Sequence, residues 1–201
     1  MSGAWRSLLA AFGVIALTAP ALAQPKKRPP PPPAVAVPDN VDVAYGAYQR
    51  GLYLTALAEA SKRAQQNDPH AMTLLGEIYA QGLGIGRDDG KAARWYKQAA
   101  AAGDRDAMFA LAMFAFEGRA GARNVDEAAR LLESAANLGH AAAAYDLGLL
   151  YLQGQQFPQN FNRAAELFRA AADAGNAEAQ YALATMIKEG RGVPKNPRQA
   201  T

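Results

Sequence analysis

A single spacing governs this chain. Gly82, Gly118, Gly154 and Gly190 lie 36 residues apart, and so do Gly103, Gly139 and Gly175. Ala71, Ala107, Ala143 and Ala179 keep the same step, as do Leu75, Leu111, Leu147 and Leu183, and Ala56, Ala92, Ala128, Ala164 and Ala200. A period in this range marks a solenoid, in which each unit is too small to bury its apolar face alone and stacks on its neighbours. Half of the chain is apolar but only 8% is aromatic. Small side chains at that density read as closely packed helices, not a sheet sandwich.

Each unit reads as two helices. In the first full unit, helix A is expected over residues 71–81 and helix B over 89–102. At 100° per residue Ala71, Leu75, Ile78, Tyr79 and Gly82 share the side that packs on helix B. Gly82 and its equivalents are expected to end helix A, and Gly103 and its equivalents helix B, because glycine accepts the left-handed conformation of a helix C-terminus. Asn67 takes that place in the N-terminal unit. Asp88, Asn124, Asn160 and Asn196 recur at 36 just before helix B, where their side chains can accept the orphan N–H groups of its first turn. Asn124 with Glu127 has the spacing of a capping box.

The stretch "AMTLLGEIYAQGLGIGRDDGKAARWYKQAAAAGDRDA" resembles a Sel1-like repeat, the α/α relative of the tetratricopeptide repeat. Ala71, Leu75, Gly76, Tyr79, Gly82, Gly84, Lys91, Ala92, Trp95, Tyr96, Ala99, Ala100 and Gly103 carry the likeness. Later units keep the frame with substitutions, such as Ala112 for the small glycine and Leu131 in the Trp place. The resemblance implies an all-α fold, a right-handed superhelical solenoid of antiparallel helix pairs, and a role as an adaptor holding other proteins. It implies no chemistry. Repeats are expected over residues 71–106, 107–142 and 143–178, after a degenerate N-terminal pair at 41–70 whose helix A is kept short by Pro38. Residues 179–201 form a truncated fourth unit, as if the chain were a piece of a longer array.

Two segments precede the repeats. Residues 1–23 have one positive charge, Arg6, an apolar centre over 8–17, and the small-x-small ending Ala21-Leu22-Ala23. This is the pattern of a signal peptide cleaved before Gln24. Its apolar run is shorter than the ~20 residues of a spanning helix. The expected location is therefore periplasmic or secreted, with a retained signal anchor as the alternative. Residues 24–40 carry seven of the 12 prolines and read as an extended polyproline spacer. Membrane contact is expected only through an uncleaved leader or the cluster Lys26, Lys27 and Arg28.

Composition narrows the function further. From residue 41 onward, 17 Lys/Arg balance 17 Asp/Glu, which disfavours nucleic acid as a partner. With no cysteine and two histidines, thiolate chemistry is excluded and a metal site or cofactor is not expected. His70 and His140 read as solvent-facing turn residues. "GLGIGRDDG" lacks the strand, glycine spacing and Lys-Ser/Thr of a phosphate loop and reads as the turn between helices A and B. No catalytic constellation is visible, so no enzymatic activity is expected. Some cysteine-rich secreted relatives are linked to penicillin binding. A cell-wall enzyme or ligand binder (for β-lactams or peptidoglycan fragments) is thus one alternative, and a passive spacer another.

What remains is a second apolar face on helix A. It carries Phe109, Met113 and Phe116, then Tyr145, Leu149 and Leu152, with partly polar sets at either end. Phe109, Tyr145 and Tyr181 read as filler between neighbouring A helices; Phe116 and Leu152, further round, are either core or surface. Glu77, Gln81, Glu117, Gln153 and Glu189 would form a polar rim. The expected partner is a protein or peptide, an envelope protein in particular, docked on this face.

Overall fold

The computed structural model describes residues 42–193. The leader, the proline-rich stretch with Lys26–Arg28, and Asn196 lie outside the described residues. Among those described, the elements are nine helices: α1 (Val43–Gln49), α2 (Tyr53–Ala64), α3 (Pro69–Gln81), α4 (Asp89–Ala101), α5 (Arg105–Glu117), α6 (Val125–Asn137), α7 (Ala141–Gln153), α8 (Phe161–Asp173) and α9 (Ala177–Glu189). Each packs chiefly on the helices before and after it in the chain, so the pairs stack as a solenoid. None of these helices is long and apolar enough to cross a membrane.

The 36-residue cadence is a cadence of helix ends. Gly82, Gly118, Gly154 and Gly190 sit at φ near +70° and close α3, α5, α7 and α9. At the first of them, the N–H groups of Gly82 and Leu83 both reach the Ile78 carbonyl, at 2.9 and 3.1 Å, satisfying acceptors that a helix end leaves orphaned. After α2, Asn67, at φ +62°, takes the place that Gly103, at φ +91°, holds after α4. The first pair is short, with α1 only seven residues long.

Helix starts repeat as well. Asp88, Asn124 and Asn160 accept the N–H groups of Lys91, Glu127 and Arg163 at 2.8, 3.0 and 3.0 Å. Their own N–H groups donate back to Tyr79, Ala115 and Tyr151 of the preceding helix at 2.9, 2.8 and 3.0 Å. That second bond corrects the capping-box expectation. The Asn124 N–H is already used by Ala115, and Glu127 instead pairs with Arg130. A matching ladder opens the A helices at Asp68, Asp104, His140 and Asn176. This ladder places the start of α3 at Pro69, two residues ahead of the expected boundary, since proline suits the first helical turn.

The two helices of a pair approach closely because small residues face large ones. Ala56, Ala92, Ala128 and Ala164 are completely buried. Gly76 lies under the ring of Tyr96 and Gly148 under that of Phe168. In the unit between them the same places hold Ala112 and Leu132, both buried.

Candidate functional site

The A helices α3, α5, α7 and α9 present the face on which binding was expected. All six apolar candidates are half-buried, but for different reasons. The Phe109 ring stacks on His140 at 4.5 Å and 21°, filling the wedge between α5 and α7. The Tyr145 ring lies 5.6 Å from buried Phe168 and belongs with the core of its pair. Tyr181, the equivalent in α9, is 78% exposed. A side chain that fills a wedge in one unit is thus open surface in the next.

Three grooves run between successive A helices. Met113, Phe116, Leu149 and Gln153 converge on one of about 290 Å³ between α5 and α7, floored by Leu132 of α6. Tyr145 and Leu152 line a second, of about 570 Å³, with Tyr181, Thr185 and Met186 of α9. A third, of about 370 Å³, is polar and holds Asp42, Tyr45, His70, Thr73, Glu77 and Asp106. The rim residues do not act as one set. Glu77 accepts the Tyr48 phenol at 2.6 Å and the Gln81 amide at 2.9 Å, and burial raises the Tyr48 pKa, keeping it a donor. Glu117 is exposed, 3.9 Å from Arg119. Gln153 joins the 290 Å³ groove and Glu189 the 570 Å³ one.

Phe116 has a cation on one face already: Arg123 sits 4.9 Å over its ring and donates to its carbonyl at 2.9 Å. Beside it in the 290 Å³ groove is a residue that sequence reasoning passed over. Asp146 is half-buried and makes no hydrogen bond or ion pair among the described residues. Burial alone pushes its carboxyl above the ordinary value. Its register equivalents are Leu74, Ala110 and Ala182. The signal was available: three apolar residues and one acid at a single repeat position.

The histidines also have places that turns would not suggest. His140 is mostly buried and caps α7, its Nδ1 accepting the Ala143 N–H at 3.1 Å while Nε2 lies 3.5 Å from Asp106. It is not the solvent-facing residue that was expected. Its register with Asp68, Asp104 and Asn176 could have identified it. His70 is exposed, as expected, yet its Nδ1 touches the buried Asp104 carboxylate at 2.8 Å. No three of the described His, Asp and Glu side chains come together as a metal site would need.

Stacked helix pairs whose open face is grooved and apolar, with its carboxylates dispersed, define a tetratricopeptide-like solenoid. The Sel1 repeat model matches residues 69–104, 105–140, 141–176 and 177–201. The chain belongs to the Sel1 repeat family, whose members are commonly non-catalytic protein-interaction scaffolds. Among solved structures it is similar to a Sel1 repeat protein from Oxalobacter formigenes, at 29% identity and a TM-score of 0.72 over 78% of this chain and 65% of that one. It is also similar to a protective antigen of uropathogenic Escherichia coli strains that displays the same fold, at 26% identity and 0.70 over 78% and 36%. A Sel1 repeat protein from Klebsiella pneumoniae aligns at 27% identity and 0.54 over 78% of each chain. The chain thus spans less than two thirds of the first two. No curated protein matches it.

Proposed function

We propose that the chain is an exported, non-catalytic scaffold that holds another protein of the bacterial envelope along its A-helix face, as an adaptor or regulator. The observation that carries this reading is the run of two apolar grooves across α5, α7 and α9, where Met113, Phe116, Leu149, Leu152 and the open ring of Tyr181 follow one another. Half-buried apolar side chains around a groove suit an apolar or amphipathic segment laid across the helices. The leader ending Ala21-Leu22-Ala23 and the proline-rich stretch after it support export and a reach away from the membrane.

A photo-crosslinking amino acid at Gln153, in the full chain expressed in its own cell, tests both parts. The expected result is a defined crosslinked partner in the envelope fraction and a mature N-terminus at Gln24. Phe116→Asp with Leu152→Asp should remove the crosslink while helical content and melting temperature stay close to the parent. A crosslink that survives those substitutions, or a chain retained whole in the cytoplasm, overturns the proposal.

A further inference from the structure

Asp146 is the one charged residue lining the α5–α7 groove, and it has no hydrogen-bond or ion-pair partner among the described residues. Its repeat position holds Leu74, Ala110 and Ala182 in the other units, so an apolar side chain there is compatible with the stack. A half-buried carboxylate that keeps only part of its water and gains no partner from the fold costs stability. The groove it faces, about 290 Å³, lies at the small end of ligand pockets. It has room for a side chain but not a helix. Helices α3, α5, α7 and α9 themselves carry six carboxylates (Glu77, Asp106, Glu117, Asp146, Glu178 and Glu189) against two cations, Arg105 and Lys188. Three arginines of the turns that follow them are engaged elsewhere, Arg119 with Asp89, Arg123 over Phe116 and Arg191 with Glu189. None of these cations bonds Asp146.

We propose that this groove takes one arginine or lysine side chain from an apolar segment of the bound partner, Asp146 receiving the cation while Met113, Phe116 and Leu149 cover its alkyl stem. Long basic side chains divide in this way, stem on apolar surface and charge on a counter-ion. The proposal rests on the reading of the A-helix face as a docking surface and adds the chemistry of the occupant. It makes Asp146 the point where a basic segment is told from a neutral one.

The probe is a displayed library of random 12-residue peptides, selected on the full chain and in parallel on Asp146→Asn and on the Phe116→Asp, Leu152→Asp double variant. Selected peptides are then measured singly by fluorescence anisotropy. The parent chain is expected to select apolar peptides with a basic residue, and changing that residue to Gln should weaken binding about tenfold or more. Asp146→Asn should erase the difference, leave the Gln peptide's affinity unchanged, and melt no lower than the parent. Asp146→Lys should instead prefer the peptide with Glu at that place. Selected peptides without a basic residue, or equal binding by Asp146→Asn, overturn this inference and leave the groove standing. A library that yields no peptide, or peptides that still bind the double Asp variant, overturns both.

Discussion

Gly76 lies against the ring of Tyr96 so closely that a Cβ would come within 2.5 Å of Cδ1 and Cε1. The contact recurs two units on, at Gly148 and Phe168, where a Cβ would meet the ring at 2.7 Å. Between them, Leu132 replaces the ring and Ala112 replaces the glycine. Size on helix B therefore dictates what helix A can carry.

From this, Gly76→Ala should destabilise the chain by about 1–3 kcal/mol through overpacking, despite the better helix propensity of alanine. Tyr96→Leu in the same chain should recover much of that loss, reproducing the Ala112–Leu132 pair. Urea unfolding of the two single variants and the double measures the coupling. Additive losses would mean that the two places do not constrain each other.

Arg119 stitches one unit to the one before. Its guanidinium lies 4.1 Å over Phe114, donates to the Ala80 carbonyl at 2.9 Å and meets Asp89 at 2.7 Å. Arg119→Ala should lower stability by about 1–3 kcal/mol, and Arg119→Lys should recover only part, because an ammonium cannot span the three contacts. Arg87 and Arg119 hold the Asp89 carboxyl well below the usual carboxylate range. Its contribution is therefore present above that range and lost as pH falls through the depressed value. Asp89→Asn should remove this share of the acid dependence in urea titrations at pH 7 and pH 3.

His140 must be neutral at Nδ1 to cap α7, since a protonated ring has no acceptor. Burial, its largest influence, pulls its pKa below the ordinary 6.5 against the opposing pull of Asp106, with Arg105 adding to the lowering. A base with a depressed folded pKa stabilises above its unfolded value and loses that stability as pH falls below about 6.5. His140→Asn supplies the cap that Asn176 already makes at 2.7 Å without titrating. The variant should melt within a few degrees of the parent at pH 7.5 and above it at pH 5, by circular dichroism.

Asp146→Ala, the residue of its equivalents Ala110 and Ala182, should raise the melting temperature at pH 7. An acid whose folded pKa is raised destabilises above that value and not below the ordinary one. The gain should thus shrink as pH drops into the ordinary carboxylate range. An equal gain at pH 7 and pH 3 would assign it to helix propensity instead.

The helix pairs and their ends were readable from the sequence because glycine at positive φ and asparagine at a cap are demands of the backbone, indifferent to what packs nearby. The start of α3 at Pro69 becomes legible once Asp68 is aligned with Asp104 and Asn176 at the same repeat position. The binding face was less legible. Whether Phe109 is filler or surface depends on the His140 ring, 31 residues away in the chain, and Tyr181 shows that the same register position can end the other way. Asp146 is masked by the ordinary expectation that a helical carboxylate points to water, although its apolar register equivalents Leu74, Ala110 and Ala182 single it out in the sequence and its half-burial in the α5–α7 groove does so in the structure.

Among the described residues every helix rests mainly on those beside it in the chain, so the stack is held from neighbour to neighbour. Drawn out by its ends, it should peel one pair at a time, giving a sawtooth of similar rupture events in place of a single break. Slight rotations at successive joints add along the stack, so a spring of this kind can widen or tighten its curvature without unfolding any helix.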